Sequence, residues 1–598
     1  MVDINVINKM NFAEIAEFRA KSPETRNKTF IMAFNTDTSD FVPISFEAFY
    51  QQALQYGNLI EEVRRRKGIK RADTFNVGVI MNNYPEFLYA QAGCALTNST
   101  LVAVNTLRVA DGLAHDVNYT DLGLLFTDED IVDNVKDTLE LFTNLSRDYI
   151  FVRGREGESD VIQTIEDFMV HCPPVEDFVP QRLDDTKVGM IIFTSGTTGA
   201  PKGIEITWKK LMAVGFTSIN FLKYDSMDIG YICMPLGHSN SMYLNYMPAL
   251  IAGASIGLRS RFSSSKFVSD IYTCNATIWN CVGKPVTYIL STAGDADYCD
   301  SPLRITVSTG TIADEQEKFI KIFGLDMFIE AYGQTETGAI TVKTSDSARE
   351  STGKRNPARP FLILDENYGE AGFRKALEIN QVGEIAIDNE ALGDSAFRGY
   401  YRNEAATRSK LYKLNDGRIY YLTGDLGKVD EQENLYFMGR TGDWYRKKGE
   451  NRAESAAEEY LIKFGGIITI TAFGIPDSQS QEDYLIATLE VNDPKIFDIQ
   501  GFIEYANTGD KGVVPDFVRV VNKMPKTSTS KIVKRSVKAF HIKRSGSSQE
   551  ESTDIVYKVK DNRVEFFGVN EYKKLIESYL PQSRERFDTF LKRMGGSL

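Results

Sequence analysis

Short apolar runs alternate with segments of helical spacing along the first 330 residues. Residues 46–67 place apolar side chains at helical intervals and end in Arg64-Arg65-Arg66-Lys67, a basic run expected at a solvated helix end. Residues 76–81 read as a buried strand, with a helix following from Tyr84. Strand-like runs recur at 101–104, 123–126, 149–152, 188–193 and 203–207, then at 231–234, 277–282, 305–308 and 327–330. Strands alternating with helices predict an α/β architecture with parallel sheet. From about Gly383 the strands shorten and the turns become polar, as in a small β subdomain, and after Arg440 the pattern is that of a compact α+β module. Residues 545–553 have the Ser, Gly, Gln and Glu content of a linker. Beyond them Tyr572, Leu575, Ile576, Tyr579 and Leu580 share one helical face, expected to pack on the body. There is no internal repeat.

Composition narrows the function classes. A chain of 598 residues with 42% hydrophobic and 25% charged positions has ordinary globular content and is long for one domain. A net charge of −13 argues against a nucleic-acid partner and against broad docking on anionic membranes. The 6 cysteines are dispersed without a Cys-x-x-Cys pair, and the 4 histidines make no ligand-spaced cluster, so reduced thiols and no structural zinc are expected. No Gly-x-Ser-x-Gly elbow occurs. The first residues lack a basic segment followed by an apolar stretch, and the least polar stretch, 246–258, is too short to span a bilayer. A cytoplasmic chain is expected, with peripheral membrane contact and homo-oligomerisation left open. Gly596-Ser597-Leu598 is a poor echo of a peroxisomal ending.

The chemistry begins at Ile192-Phe193-Thr194-Ser195-Gly196-Thr197-Thr198-Gly199-Ala200-Pro201-Lys202-Gly203. Glycines here can turn amide N–H groups towards one point. Thr194, Ser195, Thr197 and Thr198 add hydroxyl donors, and Lys202 adds a positive charge, a combination suited to a polyphosphate. It is neither a Gly-Lys-Ser/Thr loop nor Gly-x-Gly-x-x-Gly. A cluster of this composition in isolation fits a polar turn as readily as a phosphate site; its ordered string resembles the phosphate loop of the adenylate-forming superfamily.

Other segments carry the same resemblance. Ala331-Tyr332-Gly333-Gln334-Thr335-Glu336-Thr337-Gly338 matches that superfamily's Tyr-Gly-x-Thr-Glu motif. The resemblance implies that Tyr332 stacks on adenine, that Gln334 and Thr335 belong to the nucleotide site with Thr335 on the α-phosphate, and that Glu336 holds Mg²⁺. It implies that Ser308-Thr309-Gly310-Thr311 lines the adenine and acyl sites. Through Tyr421-Leu422-Thr423-Gly424-Asp425, the resemblance implies that Asp425 accepts from the ribose hydroxyls, with Arg440 beside it. His238, in Pro235-Leu236-Gly237-His238, corresponds to the gate between nucleotide and carboxylate. Met524-Pro525-Lys526-Thr527-Ser528-Thr529-Ser530-Lys531 resembles the tail whose lysine enters the active site, with Ser530 where glycine is usual.

Within the superfamily, Arg440-Thr441-Gly442-Asp443-Trp444-Tyr445-Arg446-Lys447-Lys448-Gly449-Glu450-Asn451 resembles the signature of the fatty acid transport protein, or very-long-chain acyl-CoA synthetase, group. Phe397-Arg398-Gly399-Tyr400 and the tail from Asp554 fit the same group. The chain departs from it at Arg452-Ala453-Glu454-Ser455-Ala456-Ala457-Glu458, where Ala456 replaces a glutamate. The resemblance implies an α/β fold with a large N-terminal adenylate-forming domain (1–438), a small mobile α+β C-terminal domain (439–545), and a linker with extension (546–598). It implies an ATP- and Mg²⁺-dependent ligase joining a carboxylic acid to CoA, the acid being a long- or very-long-chain fatty acid. Bile-acid-like, carnitine-like or aromatic acids, another acyl acceptor, and a lipid-binding transport homologue without catalysis stay open. Trp279, Asn280, Val282, Gly283 and Thr311 are candidates for the acid pocket.

Overall fold

The computed structural model describes residues 4–36, 38–154, 162–194, 202–294, 296–368, 373–441, 443–448, 450–476, 482–527, 532–538, 554–560 and 562–568. The chain divides into two compact units: 1–350 with 389–410 and 528–530, and 351–388 with 411–527 and 531–598. The fold is the α/β arrangement that the alternating pattern predicts, in mixed sheets flanked by helices and followed by an α+β part.

The first unit carries two large sheets. In one, the parallel strands Asn76–Ile80, Thr100–Ala103, Leu122–Thr127 and Ile150–Val152 are buried along their length. Parallel strands covered on both faces read as continuous apolar runs, which is why the sequence displays them plainly. Val188–Thr194 joins this sheet parallel to Thr100–Ala103, and Lys202–Thr207 returns antiparallel along the outer edge. The second sheet sets Ile229–Ile232, Ile278–Asn280, Ile305–Ser308 and Met327–Gln334 side by side in parallel, and Gly338–Val342 returns antiparallel. Each sheet therefore has an edge hairpin at the end of its last parallel strand.

Side-chain alternation distributes the core of the second sheet. On one face Tyr231 and Trp279 pack with Phe267, Ile289, Phe319 and Phe323 from the helices Ser264–Cys274, Pro285–Ala293 and Ala313–Phe323. Phe30 and Phe46 stack at 4.4 Å, Phe30 lies 6.1 Å from Tyr246, and Phe12 lies 5.1 Å from Trp208. Trp279 is thus a core residue. Its ring lies 4.6 Å from Phe267 and 5.8 Å from Phe319, and its indole N–H points to the Cys233 sulfur, which corrects its expected place in the acid pocket.

The basic run at the end of the Phe46–Arg66 helix also differs from expectation. Arg64 is buried and donates to the carbonyls of Lys70, Asp73 and Thr97 and to the Ser99 hydroxyl, with its guanidinium over the Phe75 ring. Five fixed donors let arginine satisfy several loop carbonyls at once. Arg65 and Arg66 both pair with Glu62.

In the second unit, an antiparallel sheet runs from Phe361–Tyr368 through Gly383–Asp388 and Ile419–Val429 to Leu435–Arg440, so the β subdomain starts about twenty residues before Gly383. A five-stranded sheet follows, built from Ile467–Pro476, Asp483–Val491, Phe517–Val521 and the hairpin Ile555–Lys560 with Arg563–Phe567. Helices Glu454–Leu461 and Ile499–Ala506 supply Leu461, Phe502 and Ile503 to its core. The linker 545–553 and the face 572–580 lie outside the described residues. Among the described residues no helix is long and apolar enough to cross a membrane.

The edge hairpin of the second sheet depends on close backbone approach. A Cβ at Gly333 would lie 2.2 Å from the Gly338 carbonyl oxygen. Gly333→Ala is expected to destabilise the first unit by about 1–3 kcal/mol. Gly112→Ala, in the helix Ala110–Tyr119 and with nothing nearer than 3.6 Å, is expected to be neutral or slightly stabilising. Thermal unfolding of the two variants checks the contrast, and equal midpoints would remove the steric account.

Candidate active site

The first edge hairpin holds the ends of the phosphate-loop motif. Thr194 and Lys202 face each other in register, and the Thr194 hydroxyl donates to the Lys202 carbonyl at 3.5 Å. Ser195, Gly196, Thr197 and Thr198 lie outside the described residues. The Lys202 ammonium lies 5.1 Å from the centre of the Tyr400 ring.

The second edge hairpin holds Tyr332, Gln334, Thr335 and Glu336. Tyr332 and Gln334 belong to the strand Met327–Gln334, with Tyr332 buried and Gln334 partly exposed. The Thr335 hydroxyl is 2.9 Å from that of Ser239. Glu336 is 7% exposed, and its Oε1 accepts a 3.0 Å hydrogen bond from the Tyr400 phenol. Its backbone carbonyl accepts from the buried Lys210 ammonium at 2.5 Å. Oε2 makes no hydrogen bond among the described residues. A nearly buried carboxylate with one oxygen held and the other free suits a hard divalent cation that shares its remaining ligands with phosphates. The fit of Mg²⁺ therefore rests on Glu336, and among the described residues no cluster of three His, Cys, Asp or Glu side chains offers another metal site.

Around the hairpin, the loop Thr309-Gly310-Thr311 is fixed from below. Gly310 has φ +88 and donates its N–H to the Glu330 carboxylate, which also accepts from the Thr311 N–H at 3.4 Å. The Gln316 amide donates to the Thr311 carbonyl at 2.6 Å, and the Thr309 carbonyl accepts from the Gly283 N–H at 3.0 Å. Burial pushes the Glu330 carboxyl up to about 7, against the lowering effect of the two N–H donors and of Lys343.

His238 caps the short turn Ser239–Ser241, its Nδ1 accepting from the Asn240 N–H at 3.2 Å. In the neutral ring this leaves the proton on Nε2. Below it Asn280 donates to Asn240 and accepts from Asn245, which also donates to the Tyr231 carbonyl at 2.9 Å. Asn280, a candidate for the acid pocket, is thus tied into a buried chain of amides.

In the second unit, Asp425 and Arg440 are register partners on adjacent strands, with Nε and Oδ1 3.4 Å apart. Asp425 is buried and Arg440 largely exposed, so the carboxylate is held while the guanidinium reaches outward. Lys531 lies outside the described residues; Lys526 and Ile532, before and after it in the sequence, form an antiparallel bridge. Lys534 sits nearby, 2.8 Å from Glu458 and 3.1 Å from Glu454. Burial works against its charge, yet the two carboxylates outweigh that and raise its pKa. Both acids come from the segment that departs from the group signature, and Ala457 in the same segment packs against Tyr445, Ala472 and Leu485.

Sequence reasoning passed over Glu330, Lys210, Ser239 and Lys534, and took Tyr400 only as a group marker. Glu330 had one visible signal, a lone acid in the apolar run Phe328-Ile329-Glu330-Ala331.

The chain matches the family described as AMP-binding enzyme over residues 18–401. It is 32% identical over 483 residues to the steroid-22-oyl-CoA synthetase of Rhodococcus jostii, covering 78% of this chain and 83% of that protein. It is 29% identical over 467 residues to a medium/long-chain-fatty-acid–CoA ligase of Mycobacterium marinum, covering 78% and 86%. A solved anthranilate CoA ligase in complex with anthranoyl-AMP superposes with a TM-score of 0.74 at 19% identity, covering 89% of this chain and 97% of that one.

Glu330 sets a pH signature. Its folded pKa is raised above the unfolded value, so it favours the folded state below about 4.5 and that contribution is lost as pH rises to about 7. Glu330→Gln, which cannot ionise, is expected to gain thermal stability relative to the parent chain between these values and to hold a constant difference above them. A difference in melting temperature that is flat from pH 4.5 to 8 would show that the parent carboxyl is not raised.

Proposed function

We infer the reaction from one premise: the chain belongs to the AMP-binding enzyme family, and it is an AMP-forming acid–CoA ligase. The acid proposed is a long- or very-long-chain fatty acid, supported by the resemblance of 440–451 and 397–400 to the very-long-chain synthetase group and by similarity to the mycobacterial fatty-acid ligase. A second reading, a steroid side-chain acid, draws support from the 32% identity to the Rhodococcus enzyme. Both acids share a carboxylate on a large apolar body.

In the first proposed step the carboxylate attacks the α-phosphorus of ATP and pyrophosphate leaves, giving the acyl-adenylate. The substrate carboxylate is already ionised at neutral pH and needs no base, so the work is positioning and charge stabilisation. Thr194, Ser195, Gly196, Thr197, Thr198 and Lys202 hold the leaving pyrophosphate. Tyr332 and the loop Thr309-Gly310 receive the adenine, with Gln334 beside it, and Thr335 donates to the α-phosphate. Asp425 accepts the ribose hydroxyls with Arg440 alongside. Lys531 bridges carboxylate and α-phosphate. Glu336 would hold Mg²⁺, which supplies neutralisation of phosphate charge. In the second step the thiol of CoA attacks the acyl carbon of the mixed anhydride and AMP leaves. Between the steps the proposed lid, 439–545, turns about Gly442, withdrawing Lys531 and admitting CoA, with His238 as the proposed gate between nucleotide and carboxylate.

The observation that supports this reading best is the meeting of the two motif hairpins on one residue, with Glu336 on the Tyr400 phenol and Lys202 over its ring. It brings an anion for the metal and a cation for the phosphates into one neighbourhood.

Carboxylate-dependent pyrophosphate release over a panel of acids, with and without CoA and with products identified by mass, tests the reaction. Acyl-CoA from long-chain fatty acids is expected; turnover confined to steroid acids would favour the second reading, and adenylate that persists despite CoA would replace the acceptor. Lys531→Ala is expected to slow adenylation by about a hundredfold or more, while thioester formation from supplied acyl-adenylate is largely spared. Equal loss in both half-reactions would remove Lys531 from its assigned role.

A further inference from the structure

Tyr400 stands at the junction of the two hairpins, and its placement is over-determined. The chain at 399–401 runs along the free edge of the strand Lys202–Thr207, through a bridge between Ile204 and Tyr400 and a 2.8 Å hydrogen bond from the Tyr401 N–H to the Gly203 carbonyl. The Tyr400 N–H donates to the Thr407 hydroxyl at 2.9 Å, and the ring packs edge-on to Phe397 at 5.0 Å. The phenol, 6% exposed as a residue, donates to Glu336 at 3.0 Å.

We propose that Tyr400 is a positioning residue for the metal and the phosphates: it presents Glu336 by one oxygen and keeps the Lys202 ammonium from closing on that carboxylate. The inference rests on the reading of Glu336 and Lys202 as metal and phosphate groups, and it goes beyond that reading by naming what orders them. An acid and a lysine that both contact one side chain could otherwise meet as an ion pair, and both charges would then be lost to the ligand. A phenol avoids that outcome because it offers two different faces. Its O–H donates to one carboxylate oxygen and leaves Oε2 without a hydrogen bond among the described residues. Its ring face attracts the ammonium through the quadrupole, which leaves the full positive charge available to an arriving anion. Among the described residues neither Lys202 nor Glu336 makes an ion pair.

Lys210 supports the same arrangement from behind. Its ammonium donates to the Glu336 carbonyl at 2.5 Å and to the Ala396 carbonyl at 3.5 Å, joining the hairpin turn to the segment that leads into Tyr400. The backbone of Glu336 and the loop of Tyr400 are thus tied together independently of the phenol. Removing the phenol oxygen should therefore change how the carboxylate is presented without releasing either segment.

The test is calorimetric titration of the full chain with ATP, in excess EDTA and in excess Mg²⁺, which reads metal-dependent affinity without turnover. In Tyr400→Phe the ring and its packing stay, and the Mg²⁺-dependent gain in ATP affinity is expected to shrink roughly tenfold, the loss of one hydrogen bond to a charged group. The affinity in EDTA is expected to be unchanged and serves as the folding control. Tyr400→Leu also removes the ring face and is expected to weaken ATP in EDTA by roughly two- to fivefold. In a Glu336→Gln background the Tyr400→Phe change is expected to have no further effect on the Mg²⁺-dependent gain. Equal weakening of Tyr400→Phe in both conditions would make Tyr400 structural only, and an unaltered Mg²⁺-dependent gain would overturn the proposal outright. Should the parent chain bind ATP in a Mg²⁺-dependent way but release no pyrophosphate with any acid, the proposed reaction fails while the role of Tyr400 is still decided by the titrations. A parent chain whose ATP affinity ignores Mg²⁺ overturns the proposal directly.

Discussion

The structure of the first unit depends on one constraint, that a parallel sheet must end somewhere and leave its last strand with an unpaired edge. Both of its sheets treat one edge in the same way, by turning the last parallel strand back as an antiparallel neighbour. Val188–Thr194 turns into Lys202–Thr207, and Met327–Gln334 turns into Gly338–Val342. Each return follows, in the sequence, the carboxyl end of a parallel strand, where α/β proteins bind ligands because backbone groups leave the ladder there. In the sequence, each of the two strongest motifs lies between the strands of one such pair. The 399–401 segment then adds to the outer edge of the first hairpin and carries Tyr400 to the second. Edge protection and site assembly are thus one construction.

Buried charge marks where loops must be held. Arg64, Lys210 and Glu330 are each less than 7% exposed, and each spends its polar atoms on backbone groups of a different loop. An unpaired charge in such places would cost several kcal/mol, so the partners are as necessary as the charges. Glu330 supports the Gly310 turn, and Lys210 supports the Glu336 turn. In the second unit Lys534 plays a comparable part between Glu454 and Glu458, which gives the departing segment 452–458 a structural employment of its own.

Much of this was legible from the amino-acid sequence, and the exceptions have physical causes. Strands buried on both faces are continuous apolar runs, so 305–308 is found at its observed bounds and 76–81 within a residue. Phe361–Tyr368 escaped because its second half, Asp365-Glu366-Asn367-Tyr368, reads as a polar turn while its first half pairs with Gly383–Asp388. The basic run ending the first long helix looked solvated because charge patterning cannot report which loop carbonyls will converge on Arg64. Trp279 looked available for a ligand because strand alternation, which turns it towards Phe267 and Phe319, is decided by the sheet's neighbours. The motif residues were legible by type, whereas Tyr400 was not, since its role exists only through contacts with Lys202 and Glu336 far away in the chain.

That distinction bears on how a charged site can be stable before its ligand arrives. A cation and an anion placed for a polyphosphate and a metal attract each other, and at 4 Å and an effective dielectric near 20 the pair would gain about 4 kcal/mol. Whatever it gained, the incoming ligand would have to undo. Holding each on one tyrosine replaces a strong mutual contact with two weaker ones to the same neutral residue. The cation–π contact is worth about 0.5–2 kcal/mol and the hydrogen bond to the carboxylate about 1.5–3 kcal/mol. Neither cancels a charge. The resting site is therefore held together by interactions that remain compatible with the ligand, so its assembly in advance of binding carries little penalty when binding occurs.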